Sequence, residues 1–265
     1  MKKLMFAAAV AAGLAAFGDG IESANTVGYT SKAVEGGKYY LIGTQFDETG
    51  SESAGSIGMN DLIKLSSTIT AGLYDDDFAT APKISVLNAA GGYTPYYFIS
   101  DGTDDNDDEL GYDCWCDVDG YELDDASKLS LGKGFWFYSP VSGTITTAGQ
   151  VSDVASVNLS FAADKNVILC NPYPVAVALQ SLATTATPGL YDDDFATAPK
   201  ISILNAAGGY TPYYYISDGT DDNDDELGYN AWCDVDGYEL SGTQIEAGAA
   251  FWMYSPTAGS VTFSL

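Results

Sequence analysis

The sequence predicts an all-β protein built from two tandem homologous β-sandwich-like units with little helix. Three observations carry that expectation: a long internal repeat, short strand-like segments separated by Gly- and Ser-containing turns, and the near absence of helical periodicity.

The repeat is the strongest signal. Gly72-Leu73-Tyr74-Asp75-Asp76-Asp77-Phe78 returns as Gly189-Leu190-Tyr191-Asp192-Asp193-Asp194-Phe195, and the match runs without a gap to Tyr112 and Tyr229. Over those 41 paired positions only Val86/Ile203 and Phe98/Tyr215 differ. The likeness continues more loosely through Cys116 to Leu123 against Cys233 to Leu240, and through Phe135 to Pro140 against Phe251 to Pro256. Upstream, Lys38-Tyr39-Tyr40-Leu41-Ile42 aligns with Lys165-Asn166-Val167-Ile168-Leu169. The expected organisation is a signal peptide at 1–18, a first unit at 19–148 and a second at 149–265, each unit of ordinary domain size. A single fused sheet assembly across both repeats is the alternative to separate sandwiches.

Taken in chain order, the first element is an export signal. Met1-Lys2-Lys3 precedes an apolar stretch from Leu4 to Phe17, with small residues Ala16 and Gly18 before the polar Asp19. That stretch is shorter than the roughly 20 apolar residues a membrane-spanning helix needs, and no later one is long enough, so no transmembrane segment is expected in the mature chain. The expected location is extracellular, cell-surface or periplasmic. Asn60 to Leu65 and Ala178 to Leu182 are the only stretches suited to short helical turns. Lys83 to Leu87 and Tyr93 to Ile99 flank Asn88-Ala89-Ala90-Gly91-Gly92, whose glycines allow positive φ, so a β-hairpin is expected there and in the copy. Phe135 to Tyr138 and Thr144 to Thr147 are expected to form a second pair around Ser142-Gly143, the first strand stopping before Pro140 because proline cannot donate to a ladder. Phe135, Trp136, Phe251 and Trp252 are expected to lie largely inside.

Composition narrows function. The chain carries 10 basic and 37 acidic residues, a formal charge of −27, and contains neither arginine nor histidine. Nucleic acid is excluded as a partner, because binding it requires many cations against phosphates. Ser-His-Asp and Cys-His catalysis and His-bearing zinc sites are excluded outright. Acids are plentiful enough for a glycosidase carboxylate pair, but abundance alone is no signal. The protein is therefore read as non-enzymatic.

The acidic stretch Asp101 to Glu109, with Asp113, Asp117, Asp119, Glu122, Asp124 and Asp125 after it, recurs from Asp218 to Glu239. Neighbouring carboxylates about 6 Å apart repel by roughly 0.7 kcal/mol per pair even in water, so bound hard cations or salt should offset them. Calcium suits the all-oxygen donor set. The candidate ligands are Asp104, Asn106, Asp108, Asp117 and Asp119, with Asp221, Asn223, Asp225, Asp234 and Asp236 in the copy. An EF-hand pattern fails, since Glu109 stands in place of the turn glycine and Trp115 in place of the bidentate Glu. The competing reading is a solvated acidic loop.

Aromatic residues are the second feature: Tyr93, Tyr96, Tyr97 and Phe98 in one strand, then Trp115, Trp136, Phe137 and Tyr138. Alternation leaves neither face clearly polar, so they are read as β-formers packing both faces of inner strands. An exposed row would instead bind glycan. Four cysteines permit disulfides in an exported protein; Cys114 and Cys116 share a face of one strand, with geometry poor for a mutual bridge. The expectation that joins these observations is a secreted acidic structural or adhesive protein of the cell surface or extracellular matrix, calcium-bound, partnered with itself or other surface components. A carbohydrate-binding protein using its aromatic strands is the alternative, with a glycoside hydrolase behind it.

Overall fold

The computed structural model describes residues 27–48, 55–73, 78–100, 111–123, 127–190, 195–205, 207–217, 219 and 227–265. The expected signal peptide lies outside them. In the first repeat the strands are β1 (Val27–Val34), β2 (Lys38–Gly43), β3 (Phe46–Asp47), β4 (Ser56–Gly58), β5 (Ile63–Leu65), β6 (Gly72–Leu73), β7 (Lys83–Leu87), β8 (Tyr93–Ser100), β9 (Cys114–Cys116), β10 (Lys128–Ser130), β11 (Gly134–Ser139) and β12 (Gly143–Val151). The second adds β13 (Ser156–Phe161), β14 (Lys165–Cys170), β15 (Val177–Ala178), β16 (Ala183–Thr184), β17 (Gly189–Leu190), β18 (Lys200–Leu204), β19 (Tyr210–Ser217), β20 (Ala231–Cys233), β21 (Gln244–Ile245), β22 (Ala250–Ser255) and β23 (Gly259–Ser264). Helix among the described residues is limited to α1 (Met59–Leu62) and short 3-10 turns, one of them at Leu179–Ser181. The fold is all-β with little helix.

Two six-stranded sheets match strand for strand. One has the order β2-β11-β7-β8-β6 with β9 also on β8, the other β14-β22-β18-β19-β17 with β20 on β19. All pairings in them are antiparallel except β6 with β8 and β17 with β19. The expected β7–β8 hairpin is present, with Leu87 opposite Tyr93. Its loop closes because the Asn88 side-chain oxygen accepts from the backbone N–H groups of Ala90 and Gly92 (3.1 and 3.0 Å), while Gly91 takes the positive φ of 86°.

The second expected pairing is corrected by the structure. β11 lies between β2 and β7, whereas β12 pairs with β1, β3 and β5 in a different sheet. The chain turns a corner where a hairpin was expected. Pro140 ends β11, and Ser139 Oγ bonds the carbonyl and amide of Val141, redirecting the backbone.

Each core joins residues of a small sheet with residues of a large one. In the second repeat, Val157, Leu159 and Phe161 of β13 and Val261 and Phe263 of β23 pack with Leu169, Ile201, Trp232, Phe251 and Met253. In the first, Val34 and Ile145 meet Ile42, Ile84, Trp115, Phe135 and Phe137. Burying such side chains contributes about 1.5–3 kcal/mol each. The sheets as a whole are arranged like a four-bladed propeller; two separate tandem sandwiches, the finer expectation, are not shown. The reason lies at the repeat joint, where the two large sheets pack on each other through Leu41, Ile168, Cys170 and Ala250. There the Cys170 amide donates to Gly132 O (2.8 Å) and its thiol to Thr44 O (3.4 Å). A side chain at Gly134 would run into Ile168 and Ala250, so the close approach requires glycine.

Candidate functional site

Strand alternation divides the aromatic residues between two faces of each large sheet. In β8, Tyr96 and Phe98 turn inward beside the core, and the Phe98 and Trp115 rings stand 5.3 Å apart. Tyr93, Pro95 and Tyr97 turn outward. Register sets Leu87 opposite Tyr93, Ser85 opposite Pro95 and Lys83 opposite Tyr97; across the sheet Trp136 lies beside Ser85 and Tyr138 beside Lys83. Lys83, Ser85, Tyr93, Pro95, Tyr97 and Trp136, with Tyr39, line an open groove of about 490 Å³.

Its floor is held in place. The Tyr39 and Tyr138 rings stack with centroids 5.0 Å apart, and the Lys83 ammonium sits 5.6 and 5.8 Å from their centres. Tyr39 and Tyr93 remain substantially exposed at 53% and 45%. Phe135 and Phe251 are fully buried as expected, but Trp136 and Trp252 are half-buried on the outer face.

The second repeat carries the same arrangement. Lys200, Ser202, Pro212, Tyr214, Trp252 and Tyr254 occupy the matching register, and Trp252 Nε1 donates to the Tyr210 hydroxyl at 3.2 Å. One position differs: Asn166 replaces Tyr39, and the Tyr254 hydroxyl donates to Asp164 instead (3.5 Å). The two faces are joined by a further depression of about 420 Å³ bordered by Leu87, Tyr93, Lys165, Asn166 and Trp252. Tyr93 thus borders both depressions.

Of the expected cation ligands, Asp104, Asn106, Asp108, Asp221, Asn223 and Asp225 lie outside the described residues. Asp117 and Asp234 occupy tight turns. Asp117 Oδ1 accepts from the amides of Asp119 and Tyr121 (2.9 and 3.1 Å), and Asp234 Oδ1 accepts from Asp236 and Tyr238 at the same distances. Gly120 and Gly237, at φ 89° and 88°, complete each turn. Asp119 and Asp236 are exposed at the turn tips. No cluster of three or more His, Cys, Asp or Glu suited to a metal occurs among the described residues.

The thiols are buried and unbridged. Cys114 and Cys116 point to one face, their sulfurs 3.3 Å apart. The hydrogen bond between the two thiols, together with burial, raises the Cys116 pKa. Burial pushes Cys170 and Cys233 up to about 12.

The outward-facing aromatic row was hidden in a strand rich in aromatics throughout. A signal for it existed in the partner strand, where Lys83 and Ser85 alternate with Ile84 and Val86 and mark the face away from the core. No protein-family model, curated protein or solved structure matches this chain.

Proposed function

We propose that this is an exported, non-enzymatic adhesive protein of the cell surface or extracellular matrix that holds carbohydrate on the aromatic outer faces of its two large sheets. The observation that carries the reading is the duplicated row of half-exposed rings, Trp136 with Tyr93 and Tyr39 in one repeat and Trp252 with Tyr210 in the other. A flat, amphipathic ring offers an apolar face to the C–H side of a pyranose, while the Tyr hydroxyls, Lys83 and Ser85 supply hydrogen bonds around it. The groove is shallow and open, which suits holding a chain along its length. Export rests on the first 18 residues of the sequence, and the non-enzymatic reading on the absence of histidine and arginine.

Calcium belongs to the proposal on the strength of the sequence. Its place is the acidic stretch from Asp104 to Asp119 and the copy from Asp221 to Asp236, where it would relieve carboxylate repulsion. Its role would be structural, offsetting the charge of these stretches.

A glycan array probed with the protein, followed by calorimetry on the best oligosaccharide, tests the reading. Trp136→Ala together with Trp252→Ala should weaken binding at least tenfold, about 1.4 kcal/mol, as expected for aromatic anchors. The melting temperature should fall as well, because both indoles also pack against the cluster at the joint, so binding is compared well below the unfolding transition. Binding that survives loss of both tryptophans would show that the rings serve packing.

A further inference from the structure

Lysines are scarce in this chain, ten against 37 acidic residues, and their placement is uneven. Lys128, Lys133 and Lys165 converge on one groove of about 370 Å³ between the repeats, bordered also by Leu87, Asn88 and Asn166. Leu87, Lys165 and Asn166 line both this groove and the depression holding Tyr93 and Trp252, so the lysine groove continues the aromatic surface. Lys133 is held with its ammonium 3.3 Å from Ser160 O, and burial lowers its pKa. Among the described residues, Glu48 pairs with Lys128 at 2.8 Å, and Asp164 accepts from Tyr254. Among the described residues that line the groove, three are lysines and none is a carboxylate, and Lys165 stands on the side that continues into the aromatic surface.

We propose that the groove is the subsite for the carboxylate of an acidic oligosaccharide, one containing uronic acid units, whose neighbouring sugar stacks on Trp252 and Tyr93. The inference rests on the carbohydrate reading above and adds the class of sugar. An uncharged glycan would leave the lysines unanswered. A polyanion without a sugar face would forgo the rings beside them. The overall charge of −27 opposes approach from a distance, but at about 0.1 M salt repulsion is screened beyond roughly 10 Å, whereas the lysines act at contact.

The test is calorimetric titration of the whole protein with hexamers of galacturonate, mannuronate and glucuronate, each beside its carboxyl-reduced neutral counterpart. At least one acidic hexamer should bind about tenfold more tightly than its reduced form, the increment of one favourable ion pair at an interface. Lys133→Gln with Lys165→Gln should erase that preference and leave binding of the reduced sugar unchanged. The single Lys165→Gln variant, at an exposed position, should lower the preference even if the half-buried Lys133 proves necessary for folding. Equal binding of acidic and reduced forms would overturn the subsite while leaving the carbohydrate reading intact. Should no hexamer of either kind bind at millimolar concentration, both fall together. If the lysine variants keep the sugar preference but abolish salt-sensitive self-association, the groove holds the acidic surface of a second copy and the inference is wrong.

Discussion

Replacing Asp117 separates two roles that one carboxylate can play. Its Oδ1 accepts from the amides of Asp119 and Tyr121, so removing it leaves two donors of a tight turn unanswered. Hydrogen bonds to a charged acceptor contribute about 1.5–3 kcal/mol each when buried, and the half-exposed position of Asp117 lets water recover part of that. Asp117→Ala should therefore cost about 2 kcal/mol, which at this chain length lowers the melting temperature by roughly 4–8 °C. Asp117→Asn keeps an acceptor oxygen in the same place and, in chelator, should cost less than about 1 kcal/mol. In millimolar calcium the prediction changes if Asp117 is also a ligand: Asn then loses the calcium-specific gain that the wild type shows. Scanning calorimetry on the three proteins, in chelator and in calcium, reads both effects. An Asn variant as damaged as the Ala variant in chelator would refute the turn argument, because the acceptor would then not be what matters.

Further expectations concern the cation, the joint and the thiols. A calcium site with a dissociation constant near 0.1 mM would stabilise the fold by about 1.4 kcal/mol at 1 mM, so chelator should lower the melting curve and sodium at equal ionic strength should not restore it. An unchanged curve, with no heat of binding at millimolar calcium, would leave the acidic stretches as solvated surface. Gly134→Val inserts a branched side chain against Ile168 and Ala250 and should cost about 1–3 kcal/mol in urea unfolding; an unaffected midpoint would mean that the sheets yield at the joint. The folded pKa values of Cys170 and Cys233, about 12, stand above the ordinary 9, so their contribution to stability is complete below pH 9 and is lost as pH rises from 9 through 12. Alkylation of these thiols at pH 8.5 should accordingly be slow until the chain unfolds. Rapid labelling of the native protein would contradict their burial.

The repeat, the Lys83–Ile99 hairpin and the turn at Leu179–Ser181 were legible because each depends on local chemistry: identity of residues, a glycine loop, a brief helical pattern. The helical reading of Asn60 to Leu65 holds only to Leu62, since Ile63–Leu65 is drawn into a strand by pairing with β12. The corner after Ser139 was not. A Ser-Pro-Val-Ser-Gly segment between two strands is compatible with a hairpin or a change of sheet, and the choice depends on β2 and β7 flanking β11, far away in sequence. The groove was half legible: Tyr93 and Trp136 stood out as residues, but their outward direction depends on which face of the sheet found a core. The grouping of Lys128, Lys133 and Lys165 has no sequence signature, because it arises only when Lys165 of the second repeat comes beside the first.

The close approach at the joint also bears on how two halves that share a near-identical middle came to differ elsewhere. Gly43 and Cys170 occupy the same place in β2 and β14, and Gly134 and Ala250 the same place in β11 and β22. Each pair meets itself: a side chain at Gly43 would strike Cys170, and one at Gly134 would strike Ala250. Equivalent positions that touch lie as if on a two-fold axis, where a symmetric dimer must place the same residue twice. Two cysteines would collide and two glycines would leave a void. Joining both copies in one chain removes that constraint, since one half can stay small while its counterpart grows to fill the space. Exchanging the partners, Gly43→Cys with Cys170→Gly, should then be tolerated better than either change alone.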